Sequence, residues 1–162
     1  MMYRILLAAT AALGVSTAAS ADILQERNMP LEVAVEIARN AVEACAANNY
    51  NVAAAVVDRS GVLRALMRAD NAGVHTPDAA RKKAYTSASS RTPTSKMAEN
   101  IQKNPAAAEL VAIDGFLVLG GGVPVKIGEE TIGAVGVGGA PGGHLDEACA
   151  VAAIEKVKDR LK

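Results

Sequence analysis

His75 is the residue best placed to do chemistry in this chain, one of only two histidines with His144. It stands directly before Thr76-Pro77-Asp78. That trio is a helix-start signal, with Thr as N-cap, Pro at the first helical position and Asp in the first turn. The spacing predicts His75 on a loop at the mouth of a helix, where an imidazole can reach a ligand, ligate a metal or move a proton. Its plain alternative is an exposed or capping residue. Arg68, Arg81, Lys82 and Lys83 flank it, and such cations pair with carboxylates.

The other chemistries the residue types allow are weaker. GGGVPV and GVGGAPGG contain the glycines of a phosphate cradle but match neither the P-loop nor the dinucleotide fingerprint. Tight turns and close strand packing account for them. Gly142-Gly143 do precede a helix start, where an anion is accommodated. His144-Leu145-Asp146-Glu147 gathers an imidazole and two carboxylates, but successive helical residues point in different directions. The two acids read more simply as favourable charges at a helix N-terminus. No H-E-x-x-H or C-x-x-C is present, which argues against a closed zinc site. Ser87, Ser89, Ser90 and Ser95 lack a G-x-S-x-G elbow and read as helix surface and caps. Cys45 and Cys149 each fall on the apolar side of a predicted helix. They read as two separate buried thiols, with a disulfide as the open alternative if their Cα atoms lie within about 7 Å.

The elements that must position these groups follow from periodicity. Pro30 opens a helix in which Leu31, Ala34, Val35, Ala38, Val42 and Cys45 recur at helical spacing. NVAAAVVD suits a buried strand, Asp58-Arg59-Ser60-Gly61 is a turn, and VLRALMRA is a second strand placing Val62, Arg64, Leu66 and Arg68 on one face. The helix after His75 runs to about Ser90. Thr94 or Ser95 caps a further short helix, and Asn104-Pro105 starts another turn or helix. FLVLGGGVPVKI and TIGAVGVGG form a second hairpin linked by Gly128-Glu129-Glu130. A closing helix from His144 buries Leu145, Ala148, Cys149, Ala152 and Val157. Hairpins rather than crossovers join the strands. The expected fold is therefore α+β: a central antiparallel sheet, terminal helices on one face and middle helices on the other.

Residues 1–21 read as a secretory signal peptide, with Arg4, an apolar run from Ile5 to Val15 and Ala19-Ser20-Ala21 at the cleavage site. That run is shorter than the ~20 residues a membrane span needs. Residues 22–162 then form a single domain in a periplasmic or secreted protein. Seventeen basic residues balance seventeen acidic ones, and there is no basic run, which excludes nucleic acid as a partner. The mature chain keeps only Tyr50, Tyr85 and Phe116 as aromatics, so its core is built largely from small residues. Oligomerisation would help such a chain.

Two stretches carry a resemblance. VVDRSGVLRALMRADNAG, followed by a helix containing RKKAYTSAS, is similar to the GlcG/HbpS-like haem-binding family. So is GGGVPVKIGEETIGAVGVGGAPGGHLDEACAVAAI, and together the likeness covers nearly all of residues 29 to 158. The family is related to the C-terminal domain of PduO-type cobalamin adenosyltransferases. The resemblance implies a profilin-like α-β-α sandwich, a homo-oligomer, and binding of haem or a related tetrapyrrole. Neutral imidazole is a standard axial ligand of haem iron. His75 is accordingly the expected ligand of a haem b iron, and His144 the reserve ligand. Arg68, Arg81 and Lys82 balance propionate charge, and Tyr85 lines the site. Some members bind iron through an acidic pair one turn apart, which Asp78-Ala-Ala-Arg81 does not complete. Haem storage, transfer or sensing follows more naturally than catalysis. The alternatives are a periplasmic enzyme, or enzyme subunit, acting on a small carbonyl or hydroxy acid with His75 as acid/base, and a structural subunit of a periplasmic complex.

Overall fold

A computed structural model describes residues 23–162; the expected signal peptide lies outside the described residues. Pro30 starts α1 (Leu31–Ala46), with Glu32 in its first turn. The chain continues through β1 (Ala53–Asp58), β2 (Leu63–Arg68), α2 (Thr76–Ser90) and α3 (Thr94–Lys103). A 3-10 stretch (Pro105–Ala112), β3 (Gly122–Ile127), β4 (Glu130–Gly138) and α4 (Gly143–Lys156) follow. The four strands form one antiparallel sheet in the order β2-β1-β4-β3. This is the α+β architecture the sequence pattern predicts.

The β1–β2 turn is made by Asp58, whose Oδ1 accepts from Ser60 N at 2.9 Å and Val62 N at 3.0 Å. Edge strand β2 turns Arg64, Leu66 and Arg68 to solvent, as the imperfect alternation predicts, while Ala65 and Met67 pack on the core. β1 is central and buried along its whole length. Alternate residues serve opposite faces. Ala54 and Val56, with Val135 and Val137 of β4, meet α1 and α4. Ala53, Ala55, Val57 and Ala134 meet Ala80, Ala84 and Ala88 of α2.

That second interface is unusually thin. A Cβ at Gly136 would stand 2.1 Å from the Ala80 carbonyl oxygen and 2.5 Å from the Ala84 nitrogen. The α2 backbone therefore rests on the sheet backbone, and a methyl group at this position would force the two apart.

Both terminal helices are rotated from the expected stripes. α1 buries Val33, Ala34, Ile37, Ala38, Ala41 and Cys45, and leaves Leu31 and Val35 exposed. α4 buries Asp146, Cys149, Ala150 and Ala153, whereas Ala148 and Ala152 face outward and Leu145 is only half-buried. Each helix offers two overlapping sets at helical spacing, and packing of α1 against α4 selects between them. FLVLGGGVPVKI does not form one strand; only Gly122–Ile127 does, because Gly121 takes φ +118°, which ends extended pairing.

Cys45 and Cys149 are joined in a disulfide with Cα atoms 5.4 Å apart, correcting the expectation of two separate thiols. Each sulfur lies on the buried side of its helix, and the two helices lie side by side on one sheet face. The bridge spans 104 residues of sequence, and closing so long a loop restricts the unfolded chain strongly. In a core of alanines and valines, where each residue buries little apolar area, that constraint is a major part of stability. A Cys45→Ala/Cys149→Ala protein is expected to lose roughly 2–5 kcal/mol of unfolding free energy, measured by urea denaturation. An unchanged midpoint would show the bridge to be energetically idle.

Candidate functional site

The N-termini of α2 and α4 open onto one cavity of about 330 Å³. The loop between β4 and α4, Gly139 to Gly142, forms one wall, and His75, Lys83 and Asp146 are its ionisable lining groups. The wall is mostly backbone for steric reasons. Gly139 has φ +131°, and a Cβ there would meet the Asn51 carbonyl oxygen at 2.6 Å. A Cβ on Gly143 would meet the Gly120 oxygen at 2.9 Å. Gly143 and Gly120 bring the loop 119–121 and the start of α4 into contact beside the cavity.

Its floor is an ion pair. Lys83 and Asp146 are 2% and 3% exposed, and Lys83 Nζ donates to Asp146 Oδ2 at 2.8 Å. Burying two charges costs several kcal/mol per ion, and mutual attraction offsets this only where further hydrogen bonds are made. They are made here. Lys83 Nζ also donates to the Val137 carbonyl at 2.9 Å, and Asp146 Oδ1 accepts from Ala140 N at 3.0 Å. The pair thereby joins α2, β4, the glycine loop and α4. A side chain at Gly121 would collide with it, 2.7 Å from Asp146 Cβ and 3.0 Å from Lys83 Nζ.

Both residues correct the sequence reading. Lys83 is not a flanking cation at His75, because its head group is committed to Asp146. Asp146 is not a solvated charge at a helix start but a buried counterion. A faint signal was available: Lys83 falls in the row of small residues Ala80, Ala84, Ser87 and Ala88, and Asp146 falls in the row of Cys149, Ala150 and Ala153.

His75 is exposed at the cavity mouth and occupies the residue before α2. It takes the cap position expected for Thr76, without a side-chain cap bond. Thr76 is buried, and its hydroxyl donates back to the Gly73 carbonyl at 2.8 Å. The imidazole lies over Gly73, where a Cβ would stand 2.8 Å from its Cε1.

Arg68 holds the approach to this mouth. Its Nε donates to the Ala72 carbonyl at 3.1 Å, as does Nη2, so the guanidinium ties β2 to the loop that carries His75. Arg81 and Lys82 are half-buried, and both grip Asp78, at 3.0 and 2.8 Å. Tyr85 is not brought to the mouth. Ten residues along α2 place it about 15 Å away at roughly 1.5 Å per residue. There it packs over Gly61 and Gly115, edge-on to Phe116 with ring centroids 6.1 Å apart. His144 is exposed at the start of α4 and lies over Gly142. It borders a different groove, between α3 and α4, where Ser95 donates to Glu147 at 2.9 Å. Thr94 and Ser95 do not cap α3. Thr94 Oγ1 instead donates to the Leu119 carbonyl and accepts from Gly122 N. Among the described residues no group of three or more His, Cys, Asp or Glu side chains could hold a metal ion.

The model of the family described as "Haem degrading protein HbpS-like" matches residues 29–155. The chain belongs to the HbpS-like family. Among solved structures, a double mutant of Streptomyces reticuli HbpS superposes with a TM-score of 0.80 at 37% identity, covering 90% of this chain and 98% of that one. The PduOC:heme complex superposes with a TM-score of 0.70 at 23% identity over 79% of this chain and 94% of that one, a likeness of fold. A Citrobacter freundii protein described as "Uncharacterized 15.0 kDa protein in dhaT-dhaS intergenic region" is 35% identical over 102 residues, 61% of this chain and 72% of its own length.

The geometry of this HbpS-like chain generates two predictions. Lys83→Met strands the Asp146 carboxylate and should cost about 3–5 kcal/mol of stability. Lys83→Met with Asp146→Asn retains an acceptor for Ala140 N and should recover most of that loss in thermal unfolding. Equal losses in both variants would show that packing, not charge, is what Lys83 contributes.

Asp78 is held below the usual carboxylate value, first by the Lys82 hydrogen bond and then by that of Arg81. Its ionised form thus contributes stability above the unfolded value of 3.8, and that contribution disappears as pH falls through the lower folded value. The contribution is small because all three groups are partly solvated. Carbon-13 titration should place the Asp78 midpoint below 3.8, and Lys82→Ala should raise it; a midpoint insensitive to Lys82 would contradict the geometry.

Proposed function

We propose that this protein binds haem, with His75 as an axial ligand of the iron and the α2 N-terminal mouth as the binding surface. The single observation that carries the reading is His75 itself: an exposed imidazole at the rim of a cavity in a chain of the HbpS-like, haem-degrading family.

The residues present fit the group in part. A porphyrin is too broad for a cavity of about 330 Å³, so the plate stands at the mouth. Val74, beside His75, is 89% exposed, and Leu119 on the cavity wall is 51% exposed. Both offer apolar surface to a flat ligand. Arg81 and Lys82 supply positive charge for propionates in competition with Asp78, and Arg68 supplies it while bracing the His75 loop. Tyr85, far along α2, is left out of this arrangement, and His144 remains the reserve ligand from its separate groove. Both cysteines are consumed by the disulfide, so thioether attachment has no thiol and a non-covalent haem b is the fitting form. The iron, when bound, supplies redox and diatomic-ligand chemistry; the chain supplies the ligand and the charge. Haem storage, transfer or sensing is the role proposed.

The disulfide also supports an exported, periplasmic or secreted location, since such bridges persist in oxidising compartments. Exposed Leu31 and Val35 on α1 and Val151 on α4 support the proposal that copies associate.

The test is a hemin titration followed in the Soret region. The parent should show a saturable shift that His75→Ala abolishes or moves in wavelength, while His144→Ala leaves it unchanged. A shift untouched by His75→Ala and lost with His144→Ala would transfer the ligand to His144. No saturable shift in the parent would end the haem reading.

A further inference from the structure

The floor of the cavity is over-equipped for holding a haem at its mouth. A lysine ammonium has three donors, and Lys83 uses two, on Val137 O and Asp146 Oδ2. Lys83 is buried, and it is among the residues that line the cavity. Gly143, which also lines the cavity, begins α4 without a side-chain cap, and the first bonded amides of the helix are those of Leu145 and Asp146 to the Gly142 carbonyl. The amides of Gly143 and His144 precede that first bond and belong to the helix end that carries partial positive charge. A buried cation and an uncapped helix N-terminus thus border the same largely backbone-lined space.

We infer that this cavity is a binding site for a small carboxylate-bearing molecule, held between Lys83 Nζ and the N-terminus of α4. One carboxylate oxygen accepts the third Lys83 proton, and the other accepts from the amides at the start of α4. Charge selects a monoanion. Asp146 already neutralises Lys83, so a dianion such as phosphate would bring its second charge against the Asp146 carboxylate. Size selects a small molecule, since the volume lies near the lower end of those that enclose organic ligands. His75 at the mouth is not needed for this contact, and the inference stands independently of haem binding.

Isothermal titration of the purified full chain with pyruvate, with inorganic phosphate for comparison, tests it. Pyruvate should bind saturably and more tightly than phosphate. Two variants should weaken pyruvate by roughly ten-fold or more, the first by the worth of a hydrogen bond to a charged group and the second by occupying the space. One is Lys83→Met/Asp146→Asn, which removes the charges. The other is Ala79→Leu, which fills the cavity from α2 without touching the pair, so a folding defect in the first does not decide the outcome. His75→Ala should retain pyruvate binding. Absence of saturable binding, tighter binding of phosphate, affinity unchanged in a folded variant of either kind, or loss of affinity in His75→Ala would each overturn the assignment.

Discussion

Lys83 and Asp146 are 63 residues apart in sequence and 2.8 Å apart in space, and the cavity end of the molecule is arranged around that contact. The lysine is carried by the helix that begins at His75, the aspartate by the helix that begins at Gly143. Their remaining hydrogen bonds go to the end of β4 and to the loop that joins β4 to α4. Two charges removed from water tolerate little displacement, because every ångström of separation forfeits attraction that offsets desolvation. The pair therefore sets the distance between two helix N-termini, and the cavity between them is a consequence.

The contact is made from a helix whose backbone lies against the sheet. Gly136 admits the backbone of Ala80 and Ala84, and Ala53, Ala55 and Ala134 keep the rest of the interface shallow. Larger residues would lift the helix and withdraw Lys83 from Val137. The chain thus gives up apolar burial on this face to gain close approach. The other face carries the aliphatic core, with Ile37, Val56, Val135 and Val137, and the disulfide constrains it further. Stability and site geometry are divided between the two sides of one sheet.

This division explains which candidate-site positions were legible. The position of His75 was legible because a Thr-Pro-Asp helix start is a local signal, and the exposed imidazole before α2 is local structure. Arg81 and Lys82 were read as cations flanking it, and their common grip on Asp78 depends on side-chain conformations. Lys83 looked like a third member of the same cationic run. Its separation from Arg81 and Lys82 rests on helical phase: the neighbours project to solvent while Lys83 points along the alanine row into the sheet. Asp146 carried the opposite disguise, an acid in a first helical turn, where solvated charge is usual.

The amino-acid sequence by itself determined the antiparallel α+β arrangement, the hairpins, the helix that follows His75 and membership of the HbpS-like family. These rest on periodicity, turn residues and motif spacing, which are properties of neighbouring positions. Tertiary structure alone decided which of two overlapping stripes α1 and α4 bury, that Cys45 meets Cys149, that Tyr85 stays away from His75, and that Lys83 finds Asp146. Each of those depends on the rotation and separation of elements distant in the chain. A row of small residues permits several such packings, and only the assembled core selects among them.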